Sequence, residues 1–143
     1  MTIPRPQDLA ARPLPSASRI AGDDYEIHID HHPGYLAARV SGDLPIELFL
    51  STLHVLGIES DGVGEDGMLV DLRELATAYS PGDLVRVGQE VATSFAHMDR
   101  MALLVLPSQV TGISQRAARK AGLNMCVFDA EGDAIGWVRQ ARS

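Results

Sequence analysis

Four residues that could ligate a metal crowd one short stretch: His28, Asp30, His31 and His32. Imidazole nitrogens and a carboxylate suit zinc or copper, so direction and spacing decide whether they act together. Tyr25, Ile27 and Ile29 alternate with Glu26, His28 and Asp30, which places His28 and Asp30 on one outward strand face. His31 and His32 open the turn His31-His-Pro-Gly34, where alternation no longer sets direction, and no His-Cys pair follows at ligand spacing. The cluster reads as a solvated hairpin tip, and no metal is expected. His54 and His97 fall late in their expected helices, where an imidazole meets the C-terminal dipole favourably. Both read as structural.

Nucleophilic chemistry finds little support. Cys126 lies in an apolar stretch, without the neighbouring base and electropositive pocket that make a thiolate, and reads as a small buried hydrophobe. Gly-x-Ser-x-Gly is absent. The loop Gly62-Val-Gly-Glu-Asp-Gly67 lacks the Lys and Ser/Thr of a phosphate-binding loop. Its glycines match Gly-x-Gly-x-x-Gly but precede a strand, and Glu65 and Asp66 would repel a pyrophosphate. No spacing assembles a convergent acid–base set, so the chain is not expected to be an enzyme, and no cofactor is implied.

The remaining chemistry sits where a parallel sheet would open its crevice, at the carboxyl ends of the strands and the starts of the helices. There the sequence places Asp71, Arg73, Tyr79, Ser80, Asp83 and Ser108, with Gln109 and Asp129 alongside. Simple capping accounts for Ser80 and Ser108, and a strand-end turn accounts for Asp71. The functional reading makes the same residues a partner- or ligand-binding surface, with an exposed serine hydroxyl at a helix start.

These residues need elements to position them. Tyr25–Asp30 and Tyr35–Val40 read as a hairpin, with Pro33 and Gly34 in its turn. Ile46, Phe49, Leu50 and Leu53 recur at helical spacing within 45–56. Met68-Leu-Val-Asp71 is a short strand closed by a carboxylate. Ser80-Pro-Gly-Asp83 starts a helix whose face carries Leu84, Gly88, Val91 and Phe95. Met101–Leu106 is apolar throughout, as a parallel strand covered on both faces would be. Pro107-Ser108 opens a third helix to about Ala121, ended by Gly122, and Asn124–Phe128 is a further strand. Gly132–Gln140 is a closing helix containing Trp137. In outline ββαβαβα, this implies an α/β fold: a mixed, mostly parallel sheet of about five strands with an N-terminal hairpin and about four flanking helices.

Length and charge narrow the class. The 143 residues suit one domain, placed at 23–143, and residues 1–22, with four of the eight prolines, read as a flexible arm. One cysteine excludes an intrachain disulfide framework, and no apolar run reaches the roughly 18 residues of a membrane span. The amino terminus lacks a signal-peptide core, so a cytoplasmic location is expected. Net charge is −7, with eleven acids against four arginines up to Asp66 and eight against eight beyond it. An acidic first half and no basic stripe argue against nucleic acid. Arg116, Arg119 and Lys120 read as a solvated helix face.

Leu69-Val-Asp-Leu-Arg-Glu-Leu75, followed by Ser80-Pro-Gly-Asp-Leu84, resembles a STAS domain, the module of anti-sigma-factor antagonists and sulfate-transporter cytoplasmic regions. The likeness runs from Tyr25 to about Gln140 and is greatest to divergent bacterial members of unassigned role. These begin with the same hairpin and end in a helix carrying a tryptophan. The family's signature is Asp-Ser-Ser-Gly, with the second serine phosphorylated. Here Tyr79-Ser80-Pro81-Gly82 stands at that place, so the acceptor position is a proline, and Tyr79 replaces the acid. The resemblance implies a non-catalytic regulatory or protein-interaction module with a protein partner. The alternative is a small-molecule binder or carrier for a lipophilic ligand.

Overall fold

In the computed structural model the described residues are 17–22 and 24–141, so most of the expected arm lies outside them. The arm's last residues are nonetheless part of the sheet. Ala17–Ala21 form β1, paired antiparallel with β2 (Tyr25–His32) from Ala17 opposite Asp30 to Ala21 opposite Glu26. The prolines stop at Pro15, which leaves a backbone able to donate along the ladder. The arm reading therefore fails for 17–21, and among the described residues the sheet holds six strands where about five were expected.

The spatial order follows the chain, β1-β2-β3-β4-β5-β6. β2 and β3 (Tyr35–Gly42) form the expected antiparallel hairpin. β3 then pairs in parallel with β4 (Gly67–Leu75), β4 with β5 (Arg100–Leu104), and β5 with β6 (Met125–Phe128). The helices are α1 (Ile46–Ser60), α2 (Pro81–Ser94), α3 (Ile113–Lys120) and α4 (Glu131–Val138). The full order is βββαβαβαβα, and the leading strand is what it adds to the elements expected from the sequence.

Amphipathic spacing puts α1, α2 and α3 on one face of the sheet. Phe49, Leu53, Leu56, Val87, Val91 and Phe95 meet Val40, Met68, Val70, Leu103 and Met125 there. Among the described residues the opposite face is covered by α4 alone, where Ala134 and Val138 pack on Tyr35, Leu69, Ala102 and Leu104. Covered on both sides, Met101–Leu104 are each at most 2% exposed, as a continuous apolar run in a parallel strand should be. Two glycines bring the three helices of the larger layer into backbone contact. A Cβ on Gly57 of α1 would collide with the Ser94 carbonyl, and one on Gly88 of α2 with that of Ser114 in α3.

Candidate functional site

Tyr79 organises the carboxyl edge. Its ring stacks on Phe49 of α1, with centroids 5.1 Å apart and planes 6° from parallel. Its hydroxyl donates to the Leu44 carbonyl at 2.7 Å, while the Leu44 N–H donates to the Thr77 hydroxyl at 2.9 Å. Burial first, then the negative charges of Asp43 and Asp83, push the phenol's pKa well above its usual value, so Tyr79 stays a neutral donor. The Ala76 N–H donates to the Gly42 carbonyl at 2.7 Å. The connection between β4 and α2 has no regular structure, yet three of its four residues from Ala76 to Tyr79 are tied down by these bonds.

Ser80 is the N-cap of α2. Its φ and ψ of −69° and 162° are extended, and its hydroxyl accepts from the Asp83 N–H at 3.1 Å. Pro81 takes the first helical position, where no donor is lost, and Asp83 sits in the first turn, favourable to the helix dipole. Ser80, Pro81 and Gly82 are all exposed.

Ser108 is no cap of α3. Pro107–Gln109 form one turn of 3-10 helix, and the Gln109 side chain accepts from the Leu106 N–H at 3.2 Å. The chain then turns at Gly112, whose φ of +77° strongly favours glycine, and α3 begins only at Ile113. The expected single helix from Pro107 to Ala121 is thus broken. Ser108 and Gln109 are left at the mouth of a cleft instead.

That cleft has a volume of about 250 Å3 and lies between the starts of α2 and α3. Phe49, Leu72, Leu75, Leu103, Val105 and Val127 make it apolar, while Tyr79, Ser108, Gln109 and Thr111 contribute polar groups. A wider depression of about 620 Å3 lies at the opposite edge, around Asp66, His97, Asp99 and Asn124. It is open to solvent, and its His97 ring is already engaged with the Ser60 hydroxyl at 3.0 Å. The smaller cleft is the better candidate because it joins an apolar floor to convergent polar groups.

Asp71 and Arg73 do not join it. β4 runs on to Leu75 because β3 offers ladder partners as far as Gly42, so Asp71 lies inside the strand and does not close it. Its carboxylate lies on the α4 face and accepts from the Arg73 backbone N–H and Nε, both at 3.0 Å, and from Nη2 at 2.8 Å. Arg73 Nη2 also donates to Glu131 in the first turn of α4 at 2.9 Å. Hydrogen bonds to Asp71, then to Glu131, hold the guanidinium's pKa above its ordinary value. Of the expected residues, then, the structure gathers Tyr79 and Ser108 at the cleft, sets Ser80 and Asp83 at the adjoining helix start, and places Asp71 and Arg73 in a separate ion-pair network.

The histidines diverge. His28 contacts Glu26, His31 lies 3.7 Å from Glu65, and the His32 ring stacks on Tyr35 with centroids 4.8 Å apart. His54 is mid-helix, because α1 continues to Ser60, and His97 lies in the turn after α2. Cys126 is half-buried on β6, its sulfur 3.1 Å from an Arg119 nitrogen. No helix among the described residues is long and apolar enough to cross a membrane.

An open, mostly parallel sheet with an antiparallel start, three helices on one face and one on the other is a STAS-like fold. Solved structures bear this out at the level of fold. An uncharacterized protein of the DUF3478 family with a SpoIIAA-like fold, from Shewanella loihica PV-4, aligns with a TM-score of 0.52. It is 19% identical, over 83% of this chain and 98% of that one. An anti-sigma factor antagonist from Mycobacterium paratuberculosis aligns with a TM-score of 0.51 at 16% identity, over 84% and 98% of the two chains. No family model and no curated protein matches the sequence.

Proposed function

We propose that the chain is a non-catalytic regulatory or protein-interaction module that meets a protein partner through the segment 73–83, which holds the loop 76–80 and the start of α2. The observation carrying this reading is the pinned loop. Tyr79 and the Ala76 backbone are anchored inward, while Ala76, Ala78, Ser80, Pro81 and Gly82 stay exposed. A surface already fixed in shape binds with less ordering cost than a mobile one. The fold shared with an anti-sigma factor antagonist supports a protein as the partner. Proline at the family's acceptor position argues against a conventional phosphoserine switch.

Ser80 provides the test. As a cap, Ser80→Ala is expected to cost about 1 kcal/mol of unfolding free energy, whereas Ser80→Asp keeps an acceptor at the positive end of the helix dipole and largely preserves stability. A partner isolated with the chain as bait should bind Ser80→Asp more weakly than wild type although the variant is fully folded. Unchanged affinity for both Ser80→Asp and Ala78→Arg would remove this loop from the interface. One observation, the cleft of about 250 Å3 beside the loop, favours a second reading as a binder of a small lipophilic molecule.

A further inference from the structure

β6 ends one side of the sheet, and no strand lies beyond it among the described residues. An edge strand offers its free N–H and C=O groups to any chain that can extend beside it. The Asn124 and Phe128 carbonyls accept from the N–H groups of Met101 and Val105 at 3.0 and 2.8 Å, so alternation turns the backbone groups of Met125 and Val127 outward. Two of those four outward groups are taken by α3. The Val127 N–H donates to Gln115 Oε1 at 2.9 Å, and Arg119 Nε donates to the Met125 carbonyl at 2.8 Å. One acceptor and one donor, four residues apart on α3, thus supply what a single residue of an added parallel strand would supply. Arg119 also crosses the edge. Met125 and Val127 face the larger core layer with α3, whereas Phe128 packs with α4, and Cys126 shares the Phe128 side by alternation. Arg119 Nη2 nevertheless reaches the Cys126 sulfur at 3.1 Å, so the guanidinium lies across the path a neighbouring strand would take.

We propose that Gln115 and Arg119 form a side-chain guard on the β6 edge, which prevents two copies of the chain from joining their sheets there. A second copy is the strand it excludes, because β6 is complementary to itself. Turned antiparallel about Cys126, two β6 strands set Met125 of one opposite Val127 of the other, and all four outward groups of each find partners. Any other antiparallel register leaves some of these groups unpaired within Met125–Phe128. In the native chain the Met125 carbonyl and the Val127 N–H are occupied and the guanidinium fills the gap, so this pairing is closed.

Sedimentation of the full chain over a range of concentrations, wild type against Gln115→Ala/Arg119→Ala, tests this, with near-UV circular dichroism to establish native packing. The double variant should keep the native spectrum and rise in mass with concentration towards twice the wild-type value. The register sets the two Cys126 residues opposite one another, at a spacing a disulfide can bridge. Diamide, which accepts the two electrons, should therefore join the variant copies through Cys126 and leave the wild type unjoined. Adding Cys126→Ser should abolish the covalent dimer and keep the concentration-dependent one. Arg119→Met, at an exposed position, frees the Met125 carbonyl alone and should show the same behaviour more weakly, which carries the test if the double variant does not fold. A natively folded variant that keeps the wild-type mass would overturn the proposal, and Gln115 and Arg119 would then only tie α3 to β6. Association that diamide does not capture through Cys126, or equally fast joining of the wild type, would overturn it as well.

Discussion

Replacing Phe49 with alanine is expected to lower the unfolding free energy by about 3–5 kcal/mol, measured by urea denaturation. Phe49 is 1% exposed and packs in the larger layer of the core. Its loss removes burial and leaves a void that the surrounding helix and strands cannot close. The effect also reaches the candidate site, because the Phe49 ring supports Tyr79, and Tyr79 ties the loop to the Leu44 carbonyl. Amide exchange at Leu44 and Ala76, whose N–H groups bond to Thr77 and Gly42, should therefore quicken more than global destabilisation requires. Phe49→Leu keeps most of the volume and should cost about 1–2 kcal/mol, with the loop still loosened because the stacking partner is gone. A loss below about 1 kcal/mol for Phe49→Ala would mean that the ring is not part of the consolidated core.

Elements dominated by side-chain patterning were legible in the sequence, and those decided by backbone partners were not. β2 showed itself by alternation and β5 by its continuous apolar run, and both stand within two residues of the sequence reading at each end. β1 carries a single large aliphatic residue, Ile20, and forms by pairing its backbone with Ile27–Asp30 and Glu26, a signal no local pattern contains. Asp71 looked like a strand end because its carboxylate closes the apolar run Met68–Val70. The ladder with β3 carries the strand on to Leu75. That one extension moves Asp71 and Arg73 out of the expected crevice and into the network with Glu131.

The Ser80 cap was readable because the cap, the proline and the acid all lie within four residues. The cleft was not readable, since its lining spans Phe49 to Val127 and depends on the break at Gly112.

Gly88 shows how a local propensity can point the wrong way. In an isolated helix, glycine to alanine is favourable by about 1 kcal/mol, because glycine loses more backbone entropy on folding. Within α2 the sign should reverse. A Cβ at Gly88 would collide with the Ser114 carbonyl oxygen, lie 2.7 Å from the Ala117 Cβ and sit 3.0 Å from the Ala118 backbone nitrogen. Two of these three neighbours are backbone of α3, so no rotamer change relieves the clash and the helices must separate. Gly88→Val is expected to destabilise by about 3 kcal/mol, and Gly88→Ala by about 1–3 kcal/mol, as overpacked cores do. Gly136 in α4 is the control: it is helical, and a Cβ there meets nothing within 4 Å. Gly136→Ala should stabilise by about 0.5–1 kcal/mol. Because Gly88 sits where α2 and α3 touch, prying them apart also widens the cleft between their starts. The Ala variant should accordingly show both a lower midpoint in urea and altered binding of any cleft ligand. If both alanine variants raised the midpoint equally, α2 and α3 would not be in backbone contact, and the geometry of the cleft would have to be redrawn.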